Sequence, residues 1–171
     1  MVGDSRRLLK FKYGGSHSEE DSKKTFVKFE KERDDGSFDL FTFECDDEVH
    51  PDLTKALQAM KPHLLENCEL PDDRLVDVKS ITCTYKAMDV GEVRGLVISG
   101  VRQLQNSNAP MVLTMPHKTD QPYTEDGDDR ICLSSACLDD LDRLSEEVFA
   151  YVDGKRAQLE MDFQGEDEPA A

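Results

Sequence analysis

Val76-Asp77-Val78-Lys79-Ser80-Ile81-Thr82-Cys83-Thr84-Tyr85 is the stretch that decides the fold. It is rich in β-branched residues, and its apolar positions recur with period two, which is the mark of a half-buried strand. The phase slips once, between Val78 and Ile81, and such a slip predicts a bulge or a short break. Asp89-Val90-Gly91-Glu92 reads as a turn. Val93 to Leu104 follows as a second strand with Leu96, Ile98 and Val101. Asn106 to Asn108 turns the chain again, and Pro110 to Met115 reads as a short third strand.

The same order stands upstream. Leu8 to Tyr13 alternates apolar and basic residues. Gly14 to Ser22 is a polar loop. Thr25 to Lys31 and Ser37 to Cys45 are strands joined at Asp34-Asp35-Gly36, which predicts a hairpin. Pro51 opens a helix with Asp52 in its first turn, where a negative charge suits the dipole. Leu53, Ala56, Leu57, Met60, Leu64 and Leu65 carry its apolar face, and Pro62 inside the pattern predicts a kink or restart. His117 to Arg130 is a long acidic loop. A second helix over Leu133 to Val152 puts Leu138, Leu141, Leu144, Val148 and Tyr151 on one face, with Ser134 or Ser135 as its cap and Asp153-Gly154 as its end. The expected class is α+β: antiparallel sheets with two helices, in possible duplicated βββα units. The folded domain covers 1–154, with possible halves 1–70 and 71–154, and a flexible C-terminal tail covers 155–171.

The chain has 171 residues, which suits one domain. Its formal net charge is −16, and such a surface repels nucleic-acid phosphates at long range. Direct nucleic-acid binding is therefore not expected unless a local basic patch provides it. The candidates are Arg6, Arg7, Lys10 and Lys12, then Lys23, Lys24, Lys28, Lys31 and Arg33; the simpler reading is one cationic face on alternating strand positions. The opposite idea, carboxylates imitating the phosphates of DNA, has only the acidic composition behind it. Cys45, Cys68, Cys83, Cys132 and Cys137 are odd in number and form no C-x-x-C pair, and no run is apolar enough to cross a membrane. With no signal-peptide pattern at the start, a cytoplasmic protein with reduced thiols is expected.

No catalytic constellation emerges, so no enzyme activity, cofactor or resident metal is expected. His117 stands near Asp120, Glu125, Asp126, Asp128 and Asp129, but the carboxylates lack the alternating spacing of an EF-hand. Cys132 and Cys137 with His117 fall short of four zinc ligands. A nucleophilic thiol needs a base, and the spacing of His17, His50, His63 and His117 favours none.

The tail is more specific. Gln158-Leu159-Glu160-Met161-Asp162-Phe163 is followed by an acidic, proline-bearing end expected to be disordered. Leu159, Met161 and Phe163 alternate, so an extended peptide presents all three to one groove. The other reading is an apolar strand end or helix extension packed on the body. The string resembles the short motif by which bacterial replication and repair proteins bind the sliding clamp of DNA polymerase. That resemblance implies that Gln158 anchors through its amide, that Met161 and Phe163 fill a hydrophobic pocket, and that Leu159 supports them. Met161 in place of Leu departs mildly from the motif.

A broader likeness runs through Leu57 to Leu70, Asn106-Ser107-Asn108-Ala109-Pro110 to Pro116-His117, Pro122-Tyr123, Gly127-Asp128-Asp129 and Tyr151 to Gln158. These segments resemble a group of small acidic proteins of tailed phages and prophages. The two resemblances together imply a non-catalytic, phage-encoded accessory protein of DNA replication or recombination that binds the host sliding clamp in the host cytoplasm. The alternative is an acidic inhibitor, a DNA mimic or anti-defence protein, acting on a host nucleic-acid enzyme or immune protein. A homodimer joined through exposed sheet edges is a further possible assembly.

Overall fold

The computed structural model describes residues 5–14 and 24–157. Seven strands form one antiparallel sheet. In chain order they are β1 (Arg6–Lys12), β2 (Thr25–Glu32), β3 (Phe38–Cys45), β4 (Val76–Met88), β5 (Gly91–Arg102), β6 (Met111–Thr114) and β7 (Lys118–Thr119). Their spatial order is β3-β2-β1-β4-β5-β6, and β7 pairs with β5 beyond the end of β6. The α+β expectation holds, with one continuous sheet in place of several. Two meanders run outward from the central β1–β4 pair, so the sheet crosses the expected boundary between residues 70 and 71. The two triads are unequal: β1 to β3 have seven or eight residues each, whereas β4 has 13, β5 has 12 and β6 has four. Duplication therefore rests on element order alone.

The expected phase slip is a register shift between Val78 and Ser80 in the β4–β5 ladder. The first predicted helix is two: α1 (Pro51–Gln58) and α2 (Lys61–Asn67). Pro62 lies in the first turn of α2, where its missing N–H is no loss. The ring of His50 caps α1, its Nδ1 accepting from the backbone N–H of Asp52 at 3.1 Å. Helix α3 (Ser135–Val152) is capped by Ser134, whose hydroxyl accepts from the N–H of Cys137 at 3.1 Å.

All three helices pack on the same face of the sheet. Leu8, Phe11, Val27, Phe29, Val78, Ile81 and Ile98 point into that layer and meet Leu53, Leu57, Met60, Leu64, Leu141, Leu144 and Val148, all buried. Phe29 is sandwiched, stacked on Phe41 and edge-on to Phe149. Gly100 faces the helices because nothing larger fits: a Cβ there would lie 2.5 Å from the carbonyl oxygen of Asp77 and 3.0 Å from Leu64. After α3 the chain turns back, and Arg156 bridges to Val49 beside the start of α1. Among the described residues, no helix is long and apolar enough to cross a membrane.

Candidate functional site

The sheet has a second face, and among the described residues no helix covers it. Side chains alternate along a strand, so the neighbours of Phe11, Val27, Ile81 and Ile98 point the other way. Partners across a ladder share a face. Lys10 lies opposite Lys28 on one side and Thr82 on the other; Lys12 lies opposite Phe26 and Ser80. Ser80 continues to Ser99 and Thr114, and one row further Val101 meets Val112. Lysines therefore gather over β1 and β2, while short polar and β-branched side chains occupy β5 and β6.

One end of this face is closed. The segment after β6 folds back so that His117 sits directly on Gly95, where a Cβ would come within 2.1 Å of its Nε2. His117 Nε2 lies 2.9 Å from the hydroxyl of Thr84. Tyr123 packs under the ammonium of Lys86, 5.4 Å from ring centre, and Gln121 donates to the carbonyl of Glu92 at 3.1 Å.

The other end is open and forms a groove of about 1190 Å³. Lys10, Lys12, Lys24 and Lys79 line it, with Phe26 and Tyr13 among them, and Glu44 is the sole carboxylate among the described lining residues. Among the described lining residues four positive charges face one negative, within a chain of −16, and Asp77 stands opposite Val101 on the same face. Partnering separates these lysines from the arginines. Eight of the nine arginines form ion pairs: Arg6 with Asp153, Arg7 with Glu30 and Glu92, Arg33 with Asp39, Arg94 with Asp142, Arg102 with Asp73, Arg130 with Asp128, Arg143 with Asp140, and Arg156 with Asp47. Lys10, Lys12, Lys24 and Lys28 make no ion pair with a described carboxylate, and the Lys79 ammonium, likewise without a described carboxylate, lies 6.0 Å from the centre of the Tyr13 ring. Cations with no described carboxylate in ion-pair contact can meet an outside anion.

The residues first considered for chemistry do not converge. His63 is buried, with Nε2 2.7 Å from an Asp140 carboxylate oxygen and Nδ1 lacking a partner among the described residues. His50 is a helix cap, and His17 lies outside the described residues. Burial pushes the Cys83 thiol up to about 12 and that of Cys137 up to about 11, so neither is a ready nucleophile. Cys132, Cys137 and His117 do not form a common ligand sphere. Among the described residues the one such group is Cys45, Asp46 and Asp47, where Arg156 already donates to Asp47 at 3.1 Å. In the acidic loop, Asp120 accepts from the N–H of Arg94 at 3.0 Å, and Asp128 pairs with Arg130.

Of the nine basic candidates, Lys10, Lys12 and Lys28 lie on the open face and Lys24 lines the groove. Arg6, Arg7 and Arg33 are engaged with carboxylates, Lys31 has the parity of Val27 and Phe29 in β2 and so lies off the open face, and Lys23 lies outside the described residues. Lys79 was not among those candidates; it stands at the bulge whose phase slip is visible in the sequence. Gln158, Leu159, Met161 and Phe163 also lie outside the described residues. The last described residue, Ala157, donates its N–H to the carbonyl of Glu48 at 3.2 Å. Comparison with protein-family models, with curated proteins and with solved structures finds no match to this chain.

Proposed function

We propose that this chain is a non-catalytic, phage-encoded accessory protein of DNA replication or recombination that offers its open sheet face to nucleic acid. The observation behind this reading is the set of lysines on that face without described carboxylate partners, in a protein whose arginines are nearly all paired internally. The overall charge of −16 is no obstacle at close range. Carboxylates of the helix layer stand about 10 Å behind the sheet, comparable with the Debye length of about 8–10 Å at 0.1–0.15 M salt. A nucleic acid on the open face meets the local lysines first. The same distribution weighs against DNA mimicry, because the sheet face left uncovered by the helices carries cations. Binding to immobilised heparin and to DNA that fades steeply with salt, and is lost in a Lys10→Glu/Lys12→Glu variant, supports the reading. Retention of both ligands by that variant sinks it.

Attachment to the host sliding clamp is a second limb, favoured by Gln158, Leu159, Met161 and Phe163 in the sequence. The motif follows α3 in the sequence and shares no residue with the sheet face, so the two limbs are separable by mutation. Titration of the clamp with wild type and with Met161→Ala/Phe163→Ala tests this limb alone. Undiminished binding by the double variant contradicts it.

A further inference from the structure

The groove has two unlike banks. Over β1, β2 and the β4 bulge it is cationic, with Lys12 beside Phe26 in adjacent strands and Lys79 near Tyr13. Phe26 and Tyr13 are half-buried, so each ring shows part of its surface to the groove. Over β5 and β6 the lining is uncharged. Val101, Val112 and Pro110 give apolar surface there, and Ser99, Gln103 and Asn108 give hydrogen-bonding groups. Val112 is 68% exposed, more than any other large hydrophobic side chain described.

A nucleic-acid duplex does not match this surface. Its bases are stacked inside, and their edges are reached by a helix or ribbon that enters a groove, most often with a bidentate arginine. Among the described residues the open face has no projecting element, and eight of the nine arginines are committed to carboxylates. Against a duplex the lysines would find phosphates, but Phe26, Val101 and Val112 would face hydrated backbone. A single strand presents both chemistries at once: a flexible row of phosphates and unstacked bases with apolar faces. Lysines suit the first because each is a point charge on a flexible stem. Rings and β-branched side chains suit the second, in the manner of stacking platforms that hold single strands without sequence preference. Strand geometry supplies the spacing. Lys10 and Lys12 lie about 6.6 Å apart along β1, and Lys10 faces Lys28 across roughly 5 Å, so neighbouring cations lie on the scale of neighbouring phosphates.

We infer that the groove holds a single-stranded nucleic acid, with phosphates along Lys10, Lys12, Lys24 and Lys79 and bases over Phe26 and the Val101–Val112 bank. This inference rests on the nucleic-acid reading above and narrows it to one form of ligand. Four phosphate contacts predict a salt slope of about −0.7 for each, near −2.8 in total, and so about a 50-fold loss of affinity between 50 and 200 mM salt.

The test is fluorescence anisotropy of the full chain with labelled oligothymidylate, oligouridylate, a duplex of equal length, and heparin. Binding of the oligothymidylate or the oligouridylate well above the duplex is expected, and comparing the two tells DNA from RNA. Lys10→Gln/Lys12→Gln should halve the salt slope. Phe26→Leu keeps apolar bulk and loses the ring, and Phe26→Ala loses both; both should weaken single-strand binding, the Ala variant by about 5–150-fold, the range of one stacked base. Heparin binding should ignore both Phe26 variants. If duplex and single strand bind equally and Phe26→Leu changes nothing, the single-strand inference is overturned while the nucleic-acid reading stands. If heparin binds and no nucleic acid does, or nothing binds at 50 mM salt, both fall.

Discussion

Lys10 and Lys28 are direct partners across the β1–β2 ladder, on one face, and neither forms an ion pair with a described carboxylate. Like charges placed so oppose folding. With Cα atoms about 5 Å apart and the side chains splayed, the ammonium groups stand roughly 7 Å from each other. At that distance the repulsion is about 0.6 kcal/mol in water, falling to roughly 0.2–0.3 kcal/mol at physiological ionic strength. Lys10→Gln should therefore raise stability by a few tenths of a kcal/mol in low salt, equivalent to about 1–2 °C in Tm for a domain of this size. Removing Lys155 provides the contrast. Its ammonium lies 2.9 Å from Asp52 and 3.0 Å from Glu147, so Lys155→Gln should lower Tm. Each variant changes the net charge equally, from −16 to −17 by removal of one cation, so overall repulsion cancels from the comparison. Thermal melts at 20 and 500 mM salt are the assay. Opposite signs at low salt, converging at high salt, are expected. A Lys10→Gln variant that melts lower, or whose gain persists at 500 mM, refutes the idea that these lysines stand together without counter-charge.

Three further outcomes follow from the packing and the charges. Leu141 is fully buried between α3 and the sheet, so Leu141→Ala should cost about 2–5 kcal/mol by denaturant unfolding. Gly100→Ala should cost about 1–3 kcal/mol in the same assay, because its methyl group would press on the Asp77 carbonyl and on Leu64. Arg6 beside Asp153, Arg102 beside Asp73, and Arg33 beside Asp39 hold these carboxyls below the usual Asp range. A depressed folded-state pKa gives stability that is present above the unfolded value near 3.9 and lost as pH falls through the folded one. Tm should therefore fall with acid below about pH 4, and Arg6→Gln should make that acid dependence shallower.

Most of the architecture is legible in local pattern. The hairpin at Asp34-Asp35-Gly36, the bulge after Val78, the restart at Pro62 and the Ser134 cap each follow from residue chemistry within a few positions. The strand order is not local. Joining β1 to β4 depends on Phe11 meeting Ile81 across 70 residues, and nothing in either strand names the other. The candidate site divides the same way. Alternation already sets Lys10, Lys12 and Lys28 opposite Phe11 and Val27, so a cationic face is readable. That Lys79 and Val112 join it, and that arginines elsewhere absorb carboxylates, depends on contacts between distant segments. The cap by His50 escapes a reading tuned to Ser, Thr, Asp and Asn, since an imidazole accepts through Nδ1 only in one tautomer.

The central claim is that nucleic acid lies on the open face of the sheet. A two-dimensional amide NMR titration with a short oligothymidylate addresses it directly, since each backbone N–H reports its own surroundings. Shifts are expected to concentrate at 10–14, 24–28, 79–80, 99–103 and 110–112, with α3 unmoved. Shifts centred on the helix layer, or no shifts at a concentration of oligothymidylate that saturates the anisotropy signal, would contradict it.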